Sequence, residues 1–219
     1  MRKVDYDSPD SPARKARQKR YKFFMDRFNT MKRPMRILDI GGTEQYWEML
    51  GFFDDVDLVK EGIELHLLNL REQEVSRPNV FSVIGSALDL SPYEDQSFDL
   101  VFSNSVIEHL FTWENQVIMA NEVMRVGKNY FVQTPNYWFP IEPHFYMPLI
   151  QYLPKALRVW IIYTFHNDYN DKEFTKTKVE EFKLLTIGEM KKLFPSGEAY
   201  IEKFKGLNKS VSMYKMDVS

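Results

Sequence analysis

The sequence contains no cysteine, so thiolate catalysis, disulfide bridges and cysteine-ligated zinc are excluded. A basic excess is also missing. The 29 basic and 31 acidic side chains leave a formal net charge of −2, which disfavours a dedicated nucleic-acid binder. Long apolar runs are absent too. The greasiest stretch, His144 to His166, is broken by Gln151, Pro154, Lys155 and Arg158, whereas a spanning helix needs about 20 consecutive apolar residues. The first ten residues have no apolar centre of the signal-peptide kind, and a cytoplasmic location is expected. Glycine is scarce, with nine in 219 residues. After Gly41-Gly42, the residues Thr43, Glu44 and Gln45 supply none of the spaced glycines of a G-x-G-x-x-G dinucleotide loop.

A hydrophobic content of 44%, with 15% aromatic residues, is enough to bury one sizeable core without staples. A single domain over 1–219 is the expectation. Residues 1–18 read as a flexible polar arm. Tyr21, Phe24, Met25 and Phe28 then recur at helical spacing, with Pro34 beyond the helix end. Strand-like runs follow at 36–40, 63–70, 80–84, 97–103 and 130–134, separated by helical segments at about 45–50 and 114–125. That alternation predicts an α/β fold with a mostly parallel, Rossmann-like sheet and helices on both faces. A helix at 187–193 and two strand-like runs at 199–204 and 210–215, joined by Gly206-Leu207-Asn208, predict a closing antiparallel hairpin. Five prolines and six aromatics crowd 135–154, and 135–165 reads as a lid or substrate-loop insertion.

In an open parallel sheet, ligands bind beyond the carboxyl ends of the strands. Asp39, Gly41, Gly42 and Thr43 end the first strand. Glycine there allows close backbone approach, and the following helix offers free N–H groups to an anion. The glycine pair alone fits an ordinary strand-to-helix turn equally well.

Ordered motifs decide more than the glycines do. The run from Arg36 to Thr43 (RILDIGGT) resembles the first motif of class I S-adenosylmethionine-dependent methyltransferases. The segment from Asp89 to Val101 (DLSPYEDQSFDLV) is similar to their D-L-P-x-x-D-x-S-F-D-x-V segment, and Ser103 to Leu110 (SNSVIEHL) resembles their S-x-x-V-x-E-H-L. The resemblance covers roughly residues 36–135. It implies seven strands ending in an antiparallel pair, with S-adenosyl-L-methionine as cofactor. By position, Asp39 and the backbone of Gly41, Gly42 and Thr43 would hold its methionine part. Asn69, followed by Leu70, would lie near the ribose, Ser86, Ala87 and Leu88 would surround the adenine, and Ser103 and Asn104 would form the floor under the sulfonium. The chain departs from the family at three of these positions. The loop is shorter in glycine, Asn69 stands where an acidic residue is usual (Glu72 being the alternative), and Ser86 replaces an aspartate. These departures predict that cofactor binding is loose or that the site needs the substrate to complete it.

On the acceptor side, His109 is a base candidate because imidazole titrates near neutral pH. Its competing reading is a packing or capping residue at a helix start. Glu142 and His144 lie in Thr134-Pro135-Asn136-Tyr137-Trp138-Phe139-Pro140-Ile141-Glu142-Pro143-His144, which looks like a signature of a subset of bacterial methyltransferases. A proline-stiffened loop with both side chains solvated is the competing account. No metal site is assigned. Methyl transfer to a small-molecule, glycan-like or lipid-linked acceptor, at oxygen, is the expected activity. A non-catalytic binding protein of the same fold and a nicotinamide-dependent oxidoreductase remain as alternatives.

Overall fold

In the computed structural model, which describes residues 12–166, 169 and 171–216, the run Met35–Ile40 forms the first strand, β1. Ile37, Leu38 and Ile40 are all buried, as a central parallel strand covered on both faces requires. It is flanked by β2 (Ile63–Asn69) and β4 (Phe98–Asn104), both parallel to it. With β3 (Val80–Ile84), β5 (Gly127–Pro135), β6 (Glu198–Phe204) and β7 (Leu207–Lys215), the sheet order is β3-β2-β1-β4-β5-β7-β6. Only β7 runs antiparallel to its neighbours. The order reverses between β1 and β4, which places a ligand crevice at their carboxyl ends.

Helices cover both faces. On one lie α1 (Pro12–Phe28), α2 (Glu44–Leu50), α3 (Phe52–Asp55) and α4 (Leu58–Glu61), which pack Phe24, Phe28, Trp47, Phe52 and Leu58 against Phe102 and Phe131. Aromatic rings meet edge-on there, with Phe24 to Phe102 at 5.2 Å and Phe28 to Phe52 at 5.5 Å between centroids, a geometry their quadrupoles favour. On the other face, α5 (Trp113–Val126) and α8 (Ile187–Leu193) bring Met119, Val123, Met190 and Leu193 onto Leu38, Val101 and Val132. The helices α6 (Lys155–Phe165) and α7 (Lys172–Glu180) build a smaller cluster of Phe145, Ile150, Val159, Ile162 and Val179. No helix among the described residues is long and apolar enough to cross a membrane.

Three local expectations change. The predicted arm is helical from residue 12, because Arg14, Lys15, Arg17, Gln18 and Lys19 are good helix formers and α1 is anchored further on by its buried aromatics; residues 1–11 lie outside the described residues. The fifth strand starts at Gly127, directly where α5 stops, and not at Tyr130. The hairpin turns at Lys205-Gly206, with φ of 49° and 84°, one position earlier than the Gly206-Leu207-Asn208 reading. Two successive positive φ values make the two-residue turn that matches strand twist.

Candidate active site

Asp39 is the last but one residue of β1, and its carboxylate is buried. Its Oδ2 accepts a hydrogen bond from Trp47 Nε1 at 2.7 Å, while Oδ1 is buried with no partner. Burial pushes its pKa up to about 7, with the indole donor opposing the shift. Gly42 closes directly over this carboxylate: a Cβ there would stand 1.6 Å from Oδ2. Gly41 has φ of +78°, and a Cβ on it would meet Val106 at 2.4 Å. Both glycines are therefore required by close packing, which sequence alone left undecided. Thr43 caps α2 by accepting from Tyr46 N at 3.1 Å.

Asn69 does something that the usual acidic residue could not. Its Nδ2 donates to Gly42 O at 2.8 Å, tying the end of β2 to the loop after β1. Because a carbonyl only accepts, this contact orients the amide and leaves Oδ1 as the acceptor for a hydroxyl. Asn69 is the final residue of β2, and Glu72 is exposed three residues on. Gly85 N donates to Asn69 O at 2.8 Å, bringing Ser86, Ala87 and Leu88 alongside; Ser86 Oγ accepts from Leu88 N at 3.1 Å. Leu70 is exposed beside them.

Two expected site residues are placed otherwise. Ser103 is fully buried and donates to Ile40 O at 3.1 Å, so its hydroxyl fastens β4 to β1 and does not face a ligand. Asn104 Oδ1 accepts from Arg20 Nη2 at 3.0 Å. Arg20, on α1, also pairs with Glu202 at 2.9 Å. Its side chain is buried, a connection between α1 and the strand ends that no local motif announced.

The three acceptor-side candidates gather in one place. After β4 the chain makes a tight turn, Ile107–Leu110, bracketed by Ser105 at φ 56° and Phe111 at φ 63°. Non-glycine residues in that region carry a strain cost of roughly 1–3 kcal/mol each. Packing supports the turn: Gln116 Nε2 donates to Ile107 O and Lys183 O, and Lys183 N donates to Glu108 O at 2.6 Å. Glu108 itself is fully buried. Its Oε2 accepts from Thr134 Oγ1 at 2.9 Å, its Oε1 has no hydrogen-bond partner, and burial raises its pKa to about 7.

Glu142 is not solvated. Its Oε2 accepts from the backbone N–H groups of His144 and Phe145, at 2.7 and 2.6 Å, and its Oε1 stands 2.7 Å from His144 Nδ1. It is thus a positioning group whose carboxylate fixes the His144 ring, which also stacks on Phe182 at 4.0 Å. His109 meets His144 edge to face, centroids 5.0 Å apart, and burial followed by the neighbouring His144 lowers its pKa. Both imidazoles line a cavity of about 290 Å³ with Tyr146, Tyr169, Phe182 and the Lys178–Glu181 ion pair. Val106, two residues before Glu108, is the side chain that packs on Gly41. The loop after β1 is therefore packed on the segment that leads into the turn carrying His109.

The methyltransferase-domain family profile matches residues 38–130, the stretch that carries β1, the Asp89 to Leu110 motifs and α5. Over residues 38–130 the chain is similar to the methyltransferase domain family. A solved S-adenosylmethionine-dependent methyltransferase from Archaeoglobus fulgidus shares the methyltransferase fold at 15% identity and a TM-score of 0.53, over 92% of this chain and 94% of that one. A phosphoethanolamine N-methyltransferase of Haemonchus contortus, solved with phosphomonomethylethanolamine and S-adenosylhomocysteine, matches at 12% identity and a TM-score of 0.54, over 90% of this chain but 51% of that one. An uncharacterized protein of Mycobacterium tuberculosis is 41% identical over 54 residues, 25% of this chain and 18% of its own length. The match thus spans less than a fifth of that curated relative.

Proposed function

We propose that this methyltransferase moves the methyl group of S-adenosyl-L-methionine to an oxygen of a small acceptor, or of the polar head of a glycan-like or lipid-linked one, held in the cavity at His109 and His144. The observation that carries the reading is the Glu142–His144 pair. A carboxylate 2.7 Å from Nδ1 leaves His144 Nε2 facing outward for an acceptor O–H. A nitrogen acceptor that arrives neutral needs no such arrangement.

The residues of the β1 loop fit the cofactor. The partnerless Asp39 Oδ1 suits the cationic methionine end, the Gly41-Gly42 backbone permits close approach, and Asn69 Oδ1 suits a ribose hydroxyl. Ser86, Ala87 and Leu88, with exposed Leu70, suit an adenine ring. When bound, S-adenosylmethionine supplies an electrophilic methyl group on a sulfonium. The protein's own part is alignment and exclusion of water, which in-line displacement chiefly requires. His144 and His109 orient the acceptor and receive its proton, while Phe182 and Phe145 keep the pocket apolar on one side. A volume near 290 Å³ lies at the low end for ligand pockets, which favours one small molecule or one terminal group.

The test is methyl transfer from labelled cofactor to panels of hydroxyl and amine acceptors. Hydroxyl acceptors are expected to be labelled, with H144A lowering turnover by 10²-fold or more while S-adenosylhomocysteine still binds. Labelling of amines alone, or full turnover by H144A, contradicts the reading.

A further inference from the structure

Glu108, His109 and His144 each offer one ligand atom that lies within 4.8 Å of those of the other two. Glu108 is fully buried, yet Oε1 has no donor, since Thr134 serves Oε2 alone. A buried carboxylate oxygen left unmatched is costly. The cation that lines the same cavity, Lys178, is paired with Glu181 at 2.6 Å. His144 has Nδ1 held by Glu142, which leaves Nε2 as its donor.

We propose that these three side chains form a binding site for a divalent transition-metal cation of the zinc, manganese or cobalt kind. Two imidazoles with one carboxylate select such borderline cations over magnesium or calcium, which prefer all-oxygen shells. Three protein ligands leave an open position, as in catalytic sites and unlike closed structural ones. The cavity lined by His109 and His144 adjoins it. Glu142 is the outer partner that fixes the tautomer and direction of a ligating histidine. Donors about 2.1 Å from one tetrahedral ion stand about 3.4 Å apart. Separations of up to 4.8 Å therefore close by about 1.4 Å at most, a movement to which the exposed His109 ring can contribute by rotation.

The role of the cation rests on the methyl-transfer reading; its binding does not. An acceptor hydroxyl drawn to the open position loses its proton more readily near neutral pH. With both imidazoles engaged by the cation, the cation takes the place of the histidines as the group that activates the acceptor: the proton passes to water, the O–C bond forms as the C–S bond breaks, and the sulfonium leaves as a neutral thioether.

The experiment is titration of the chelator-treated chain with Co²⁺, followed by its visible d–d absorption, and with Zn²⁺ by calorimetry. One cation per chain is expected, with binding lost in H144A and H109A and weakened ten- to a hundredfold in E142Q. H109A alters an exposed side chain and keeps the test valid if the variants at buried Glu108 or Glu142 fail to fold. Absence of saturable binding, or unchanged binding in H109A and H144A, overturns the inference. Binding of S-adenosylhomocysteine is measured alongside. Cofactor binding without the cation removes the metal site alone, whereas cation binding without the cofactor removes the methyl-transfer reading.

Discussion

Asp39 joins a structural role to the cofactor role proposed for it. Its carboxylate is buried under Gly42 and touches one donor, Trp47, so it holds its proton to about pH 7. An unfolded aspartate releases its proton near pH 4. The native state therefore binds more protons between these values, and stability falls as pH rises from about 4 to 7, by at most about 1.4 kcal/mol per unit. Thermal melts of the free protein at pH 5, 6 and 7 are expected to show this decline, and D39N to reduce it, the remainder coming from buried Glu108, whose pKa is raised to about 7 as well. A cationic ligand group beside Asp39 favours the ionised form, so cofactor affinity is expected to rise from pH 5.5 to 7, a trend that D39N loses. Removing the indole donor in W47F leaves the carboxyl without a partner. It is expected to cost about 1–3 kcal/mol in a denaturant titration.

Elements decide where these residues end up. The β1 loop was legible in the sequence because β1, the glycine turn and α2 are consecutive. The parallel strands were legible because their apolar runs alternate with helical segments. The acceptor cluster was only partly so. His109 and Glu142–His144 were visible as motifs, but they meet because Lys183, beyond α7, pairs with Glu108 and carries Phe182 onto His144. A contact across that much sequence leaves no local spacing to read. Glu108 was visible within the S-x-x-V-x-E-H-L run, but only its burial against Thr134 makes it a candidate ligand. The arm reading failed for a related reason. Residues 12–18 carry little apolar surface, and α1 gains its hold later, through Phe24, Phe28 and the buried Arg20–Glu202 pair. Because Arg20 also reaches Asn104 at the end of β4, R20A removes the shorter of two ion pairs on buried Glu202 and leaves Lys209, at 3.3 Å, as its cation. Loss of about 1–3 kcal/mol is expected in urea unfolding, and unchanged stability would show that α1 is not fastened there.

At the scale of the whole molecule, two half-sites lie at the carboxyl ends of one sheet. The loop after β1, with Asn69 and Ser86, fits the cofactor, and the turn after β4, with the segment after β5, fits the acceptor. Val106 packed on Gly41 joins them. Contacts weaker than the family norm at Asn69 and Ser86, together with the packing of Val106 on Gly41, predict that acceptor and cofactor bind with positive coupling. The central claim is that the β1 loop binds S-adenosylmethionine. Calorimetric titration of the wild-type chain with S-adenosylhomocysteine, repeated with G42A, tests it most directly. The account predicts one site per chain in the wild type, and no binding once a methyl group at Gly42 collides with the Asp39 carboxylate. No heat from the wild type, or equal binding by a folded G42A, would contradict it.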